Sequence, residues 1–235
     1  MKDESTLDEG LVRLEKYIAQ QGMCSRREGK QLILDGNISV NGKVMKETGF
    51  GVDPEKDKVA IVGAVEKKET VALYKPRGIE TSKTSEDSVD IHDEFPELTH
   101  LAPVGRLDRD SEGLILLTND GLITRAITGE HSDVEKEYVV TTREFVADES
   151  LEKMARGIIL DDKKTLPAKT KRVSDTKFLI VLQEGRKHQI RRMADACKLT
   201  IEELKRIRVG HIKIENLKSG EYKVLTEEEV QEFKK

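Results

Sequence analysis

The chain has 235 residues, 36% of them hydrophobic and 37% charged, and its 41 Lys and Arg against 45 Asp and Glu give a net charge of −4. Its longest uncharged run, residues 17–25, is far shorter than the roughly 20 residues of a membrane span, and the first ten residues hold no apolar signal segment, so a cytoplasmic protein with no membrane partner is expected. Two cysteines, Cys24 and Cys197, exclude a disulfide framework and a multi-cysteine zinc site.

A small N-terminal domain is predicted over residues 11–64, after a flexible acidic tail at residues 1–10. Apolar residues spaced i, i+3 and i+4 before Gly22 predict a short helix, and Ser25 with Glu28 forms the capping-box pattern that opens a second one. Residues 38–44 then place Asn-Gly between two short apolar runs, which predicts a β-hairpin. A further strand is predicted at residues 59–62.

A polar linker at residues 65–69 leads to a second predicted domain, residues 70–235. Its strands are predicted at residues 70–74, 114–118, 137–142, 178–183 and 206–214, and its helices near residues 122–128, 150–157 and 187–196, with a last helix after Thr226. These elements lack a regular strand–helix alternation. We therefore expect an α+β fold, in which a small S4-like α/β module precedes a domain with a mixed, largely antiparallel sheet.

The charge distribution is uneven along the chain. Residues 11–49 carry seven bases against four acids, and residues 185–213 carry nine against three. Two basic segments in a mildly acidic protein suit a polyanion such as nucleic acid, although solvated surfaces would give the same composition.

The segment GRLDRDSEGLILLTNDG, residues 105–121, is the most informative of the chain. Charged and turn residues lead directly into an apolar strand, so Asp108 is expected in a loop just before a buried element. An active-site carboxylate is typically held in this way, with an exposed tip on a rigid support. An aspartate that only caps a turn would fit the same position.

Taken as a set, these residues resemble the catalytic signature of the RsuA-type family of pseudouridine synthases. KEY at residues 136–138 and EGRKHQIRRM at residues 184–193 resemble the family's other motifs in the same order. Residues 13–44 resemble an S4 RNA-binding domain, and residues 75–78 a family turn beneath the active cleft, to which we assign a structural role. Within this family, the chain resembles the RluF branch most, in Asp110-Ser111, in residues 131–138 and in MARG at residues 154–157.

The resemblance implies an enzyme that isomerises a uridine of ribosomal RNA, with 23S rRNA as the expected target, either free or in an assembling subunit. It also implies a monomer that needs no metal or cofactor. It assigns the catalytic carboxylate to Asp108 and leaves open whether this group adds to C1′, adds to C6 or acts as a base. It implies Arg191 as the ion-pair partner of Asp108, and Tyr138 as the ring that packs on the uracil and a candidate for handling the C5 proton. Arg106 matches the residue that fills the space left by the flipped base.

The S4-like module is expected to bind RNA through phosphate contacts, which give affinity and register without sequence information. The candidate residues are Arg13, Ser25, Arg26, Arg27, Lys30, Asn41 and Lys43. The alternatives are a non-catalytic S4-type RNA-binding or ribosome assembly factor, and the same chemistry on 16S rRNA or transfer RNA. The first is disfavoured because Asp108, Tyr138 and Arg191 are all present.

Overall fold

The computed structural model describes residues 10–63, 67–130 and 132–235. The predicted acidic tail, apart from Gly10, and residues 65 and 66 of the predicted linker lie outside the described residues. The described chain forms two compact units: residues 10–68 with 120–125, and residues 69–119 with 126–235. None of the described helices has the length and apolar character needed to cross a lipid bilayer.

The first unit combines two helices with short antiparallel strand pairs. In chain order its elements are β1 (Val12–Arg13), α1 (Leu14–Gln20), α2 (Arg26–Leu34), β2 (Ile38–Val40), β3 (Lys43–Met45), β4 (Gly51–Val52) and β5 (Val59–Ile61). Strand β2 pairs with β3 and β5, and β1 pairs with β4. The apolar faces of the helices and of β2 enclose a core of Leu14, Ile18, Cys24, Ile33, Ile38, Val40 and Val52.

Two local sequence signals of this unit are confirmed. The hydroxyl of Ser25 accepts a hydrogen bond from the Glu28 N–H at 3.3 Å, and the Glu28 carboxylate accepts one from the Ser25 N–H at 3.1 Å. This reciprocal capping box starts α2. At the hairpin, Asn41 (φ +52°) and Gly42 (φ +80°) are both left-handed, as a type I′ turn requires.

The second unit is organised around one large sheet. Its strands are β6 (Thr70–Lys75), β7 (Ala102–Val104), β8 (Glu112–Thr118), β9 (Lys136–Thr142), the separate hairpin β10 (Ile159–Leu160) and β11 (Lys163–Lys164), β12 (Lys169–Ser174), β13 (Lys177–Leu182), β14 (Ile201–Val209), β15 (Ile212–Lys213) and β16 (Tyr222–Val224). The order is β12-β13-β9-β14-β8-β6-β16, with β15 beside β14 and β7 beside β8. Every described pairing in this sheet is antiparallel except β8 with β14, so the prediction of a mixed, largely antiparallel sheet is confirmed.

The remaining helices of the described chain are α3 (Ile91–Glu94), followed by a short 3₁₀ turn, α4 (Gly121–Thr128), which begins in the first unit, α5 (Asp148–Ala155), α6 (Gln189–Asp195) and α7 (Glu227–Glu232). Three of them, α3, α5 and α6, pack on one face of the sheet. One apolar cluster joins α5 and α6 to β9 and β13, and another joins α3 to β6 and β8. Tyr138 packs against both clusters.

Sheet register brings residues from distant parts of the chain into one row. Lys75 of β6 pairs with Gly113 of β8, Gly113 with Arg206 of β14, and Arg206 with Tyr138 of β9. Directly paired residues project from the same face of a sheet. Because Tyr138 packs against the covered face, this row lies on the side occupied by α3, α5 and α6.

The predicted strand at residues 206–214 is wrong in its bounds. The chain is extended from Ile201 to Val209, turns at Gly210 (φ +57°) and continues only as the two-residue β15. Residues 201–205, IEELK, do not alternate between apolar and polar as a half-buried strand does. They are extended because β14 lies between β9 and β8 and pairs with both.

Candidate active site

Asp108 lies in the loop before β8, and backbone hydrogen bonds fix that loop on both sides of it. The buried hydroxyl of Thr81 accepts from the Leu107 N–H at 3.0 Å and donates to the Leu107 carbonyl at 2.7 Å. On the other side, Gly78 N–H donates to the Arg109 carbonyl at 2.8 Å and the Arg109 guanidinium donates to the Gly78 carbonyl at 3.0 Å. The predicted loop address of Asp108 is confirmed, and the segment from Gly78 to Thr81 supports it.

Two basic side chains from the start of α6 flank the carboxylate. Arg191 Nε lies 3.9 Å from Asp108 Oδ2, and His188 Nε2 lies 3.5 Å from Oδ1. The second arm of Arg191 donates at 3.3 Å to both the Asp110 carbonyl and the Ser111 hydroxyl, which anchors the guanidinium to the same loop. The structure therefore brings the sequence candidates Asp108 and Arg191 together.

Tyr138 and Arg106 differ in their surroundings. Tyr138 is half-buried where the two apolar clusters meet, in the same cluster as Leu107, the residue before Asp108. Arg106, on the other side of Leu107, is exposed and makes no hydrogen bond or ion pair with the described part of the chain. Its guanidinium is available to a partner from outside the protein.

Two buried cations lie in the same sheet row as Tyr138, and the sequence analysis missed them as site residues. Lys75 is fully buried, and its ammonium donates to the carbonyls of Pro76 (2.9 Å) and Ile79 (2.7 Å). Burial lowers the pKa of Lys75 to about 8, and the charge of Asp108 opposes this shift. The sequence signal that could have identified Lys75 is an apolar strand that ends in a lysine.

Arg206, the second cation, is 4% exposed, and its Nε donates to the Leu114 carbonyl at 2.6 Å. Its Nη2 is the one buried side-chain nitrogen or oxygen of the described residues without a hydrogen-bond partner. The charge of Arg206 adds to burial in lowering the pKa of Lys136, at the start of β9, to about 8. Three basic side chains, Lys75, Arg206 and Lys136, therefore lie on this face of the sheet.

In the first unit, a basic cavity of about 330 Å³ is lined by Leu11, Val12, Arg13, Lys16 and Arg26. Arg26, Arg27, Lys30 and Lys43 are exposed, and none of them has an ion-pair partner among the residues that the structure describes. Such free cations at the start of a helix and at a hairpin tip can meet phosphates.

Ser25 and Asn41 are already engaged inside the first unit. The Ser25 hydroxyl caps α2, and the Asn41 amide donates to Asp57 at 2.8 Å and accepts from the Lys58 N–H at 2.9 Å. These hydrogen bonds give both side chains a structural role, and the predicted contacts of Ser25 and Asn41 with RNA stay predictions.

Comparison with known proteins matches both units to families. Residues 69–196 match the family described as RNA pseudouridylate synthase, and residues 12–59 match the S4 domain. Similarity to individual proteins extends over nearly the whole chain. An uncharacterized RNA pseudouridine synthase of Aquifex aeolicus is 38% identical, with 95% of this chain and 97% of the relative covered.

Two further relatives carry more specific names. Ribosomal large subunit pseudouridine synthase B of Bacillus subtilis is 36% identical over 95% of this chain and 96% of its own length. Dual-specificity RNA pseudouridine synthase RluF of Escherichia coli K12 is 34% identical over 95% of this chain and 79% of its own length. A solved pseudouridylate synthase superposes with a TM-score of 0.70 at 30% identity, covering 94% of this chain and 99% of that one.

Proposed function

Because the chain belongs to the RNA pseudouridylate synthase family and carries an S4 domain, we propose that it isomerises a uridine of large-subunit ribosomal RNA, with Asp108 as the catalytic carboxylate. The observation that carries the assignment of Asp108 is its position on a fixed loop between two basic side chains, His188 and Arg191. The name of the Bacillus subtilis relative supports the large-subunit target. The relatives named RluF are called dual-specificity enzymes, so the proposal leaves room for a second RNA substrate.

The reaction rearranges one nucleotide without any co-reactant. The N1–C1′ bond breaks, the uracil turns, and a C5–C1′ bond forms, while C5 loses a proton and N1 gains one. Asp108 would act as a carboxylate on C1′, on C6 or on a sugar proton, and each of these routes needs its negative charge. The Arg191 guanidinium, held on the same loop by Asp110 and Ser111, supplies the matching positive charge.

A paired or stacked uridine must leave its helix before Asp108 can reach the sugar, at a cost of a few kcal/mol. Arg106 is suited to replace the departed base because its guanidinium is exposed and free, and a planar guanidinium can stack on bases and pair with phosphates. Tyr138, half-buried beside Leu107, offers a ring for the flipped uracil. Its hydroxyl is a candidate for handling the C5 proton.

The S4 domain supplies affinity in this scheme. Arg13 and Arg26, which line its basic cavity, and the free cations Arg27, Lys30 and Lys43 would contact RNA phosphates. Such contacts hold the RNA without selecting a base, so the choice of uridine falls to the catalytic domain.

The test is tritium release from RNA labelled at uridine C5. Asp108→Asn keeps the shape of the side chain but removes its charge, so turnover should fall by about 10³-fold or more, while RNA affinity stays within about threefold. Asp110→Asn, the same chemical change in an exposed side chain of the same loop, is the matched control and should keep most of the activity. Normal turnover by Asp108→Asn would overturn the assignment.

The RNA target is tested separately, by mapping pseudouridines through carbodiimide-dependent reverse-transcriptase stops. Ribosomal and transfer RNA from cells with and without the protein should differ at a 23S position. A difference confined to 16S rRNA or transfer RNA would keep the chemistry and correct the substrate.

A further inference from the structure

His188, the residue before α6, has a left-handed backbone conformation. Its φ of +51° lies in a region that few residues other than glycine adopt, although histidine, like asparagine and aspartate, is found there more often than most. It occupies the N-cap position of α6, yet its side chain makes no capping hydrogen bond. Asparagine or glycine would adopt this backbone conformation at least as readily, so local folding does not require an imidazole ring here.

Packing gives no reason either, because half of the His188 side chain is exposed. Within the described ranges, its side chain makes one polar contact, to the carboxylate of Asp108, with Nε2 3.5 Å from Oδ1. Arg191, one turn further along the same helix, approaches the other oxygen, Oδ2, at 3.9 Å. Each carboxylate oxygen therefore faces a different donor from α6.

We propose that His188 is a positioning residue, which fixes the plane of the Asp108 carboxylate through a hydrogen bond from Nε2 to Oδ1 in the RNA-bound enzyme. The inference rests on the catalytic role proposed for Asp108. A carboxylate rotates easily about its last torsion, so one donor on each oxygen is needed to set its orientation. The present 3.5 Å is longer than a strong hydrogen bond, and such contacts commonly tighten when substrate is bound.

The proposal is tested on the full-length protein, with excess enzyme and a ribosomal RNA transcript tritiated at uridine C5 from which the wild type releases tritium. His188→Gly removes the ring and relieves the left-handed backbone, so the single-turnover rate should fall about 10- to 100-fold while RNA affinity stays within about twofold. Its melting temperature should rise by about 2 °C. Lys198→Gly, the same backbone change at the other end of α6 (φ +59°), measures the gain that the backbone alone gives.

His188→Gln is the conservative variant, because it keeps a side chain at the left-handed position and a nitrogen donor of similar reach. Its rate should recover to within about fivefold of the wild type. A His188→Gly rate within twofold of the wild type would overturn the proposal. So would equally slow glycine and glutamine variants, or a loss confined to RNA affinity. Asp108→Asn, assayed in parallel, separates the two claims: if it turns over normally, the proposed role of Asp108 itself has failed.

Discussion

Gly113 is the point where a single added methyl group should do most damage to this fold. The residue is the second of β8, directly after the Asp108 loop, and pairs with both Lys75 and Arg206. Its φ is +108°, which only glycine adopts without strain. A Cβ built there would lie 2.3 Å from the Arg206 carbonyl oxygen and 2.8 Å from the Arg206 nitrogen, both backbone atoms of the neighbouring strand.

The expected cost of Gly113→Ala has two parts. Forcing alanine into this backbone conformation costs about 1–3 kcal/mol. Pushing β8 away from β14 to relieve the contact costs a further 1–3 kcal/mol or so, as overpacking does in a core. A total loss of about 2–6 kcal/mol corresponds to a fall of roughly 4–24 °C in the melting temperature of the catalytic unit. Since the displaced strand carries the Asp108 loop, turnover at 25 °C should also fall by about tenfold or more.

Thermal unfolding followed by circular dichroism measures the first effect, and tritium release measures the second. Gly185→Ala is the matched control, because Gly185 has no left-handed φ and a Cβ there would meet nothing within 4 Å. Its melting temperature should stay within about 1 °C of the wild type. If Gly113→Ala also melts within 2 °C or so of the wild type, the strands separate without cost and the reasoning is wrong.

Arg191→Lys should slow the single-turnover step by about 10- to 100-fold on a structured stem-loop and on an open strand alike, because lysine keeps the charge but not the planar fork. Arg106→Ala should be slow, by about tenfold, on the stem-loop only, and equal deficits on both RNAs would exclude a role in replacing the flipped base. Arg26→Gln and Arg27→Gln should weaken binding equally for any RNA sequence and lower the slope of log Kd against log salt by about one each, and unchanged slopes would remove them from the interface. The pKa of Lys75 is about 8 in the folded protein and 10.5 when the side chain is exposed. Between pH 8 and 10.5 the unfolded chain therefore binds more protons than the folded one, and the free energy of unfolding rises with pH. From pH 7 to 9 the free energy of unfolding in urea should rise by about 1 kcal/mol more in the wild type than in Lys75→Met, and parallel curves would contradict this.

Local signals in the sequence predicted local structure well. The Ser25–Glu28 capping box and the Asn41-Gly42 turn depend on residues at most three positions apart, and both form as expected. The apolar run before Thr118 likewise became β8. Motif resemblance placed Asp108 and Arg191 in one site because the motifs hold information from the whole family, which a single chain's periodicity does not contain.

Contacts that depend on sheet register could not be predicted from the sequence. Gly113 and Arg206 are 93 positions apart, and nothing near either residue indicates that β8 and β14 run parallel there. The exposed strands β12 and β16 were also missed, because edge strands carry charged residues in place of an apolar alternation. The sequence shows His188 only as one letter of a motif, and its approach to Asp108, 80 positions earlier, depends on the fold.

The residues that hold the backbone of the Asp108 loop are different from the residues that face its carboxylate. Thr81 and Gly78 fix the backbone on either side, so the loop does not depend on the carboxylate for its shape. The two oxygens accept no hydrogen bond from the residues that the structure describes, although His188 and Arg191 lie 3.5 and 3.9 Å away. The two oxygens have about four lone-pair sites between them, so one donor on each oxygen still leaves each of them a free lone pair for a sugar carbon or proton. Removing the charge should therefore abolish chemistry and leave the fold intact, which is why Asp108→Asn is a sharper test than any variant that disturbs the loop.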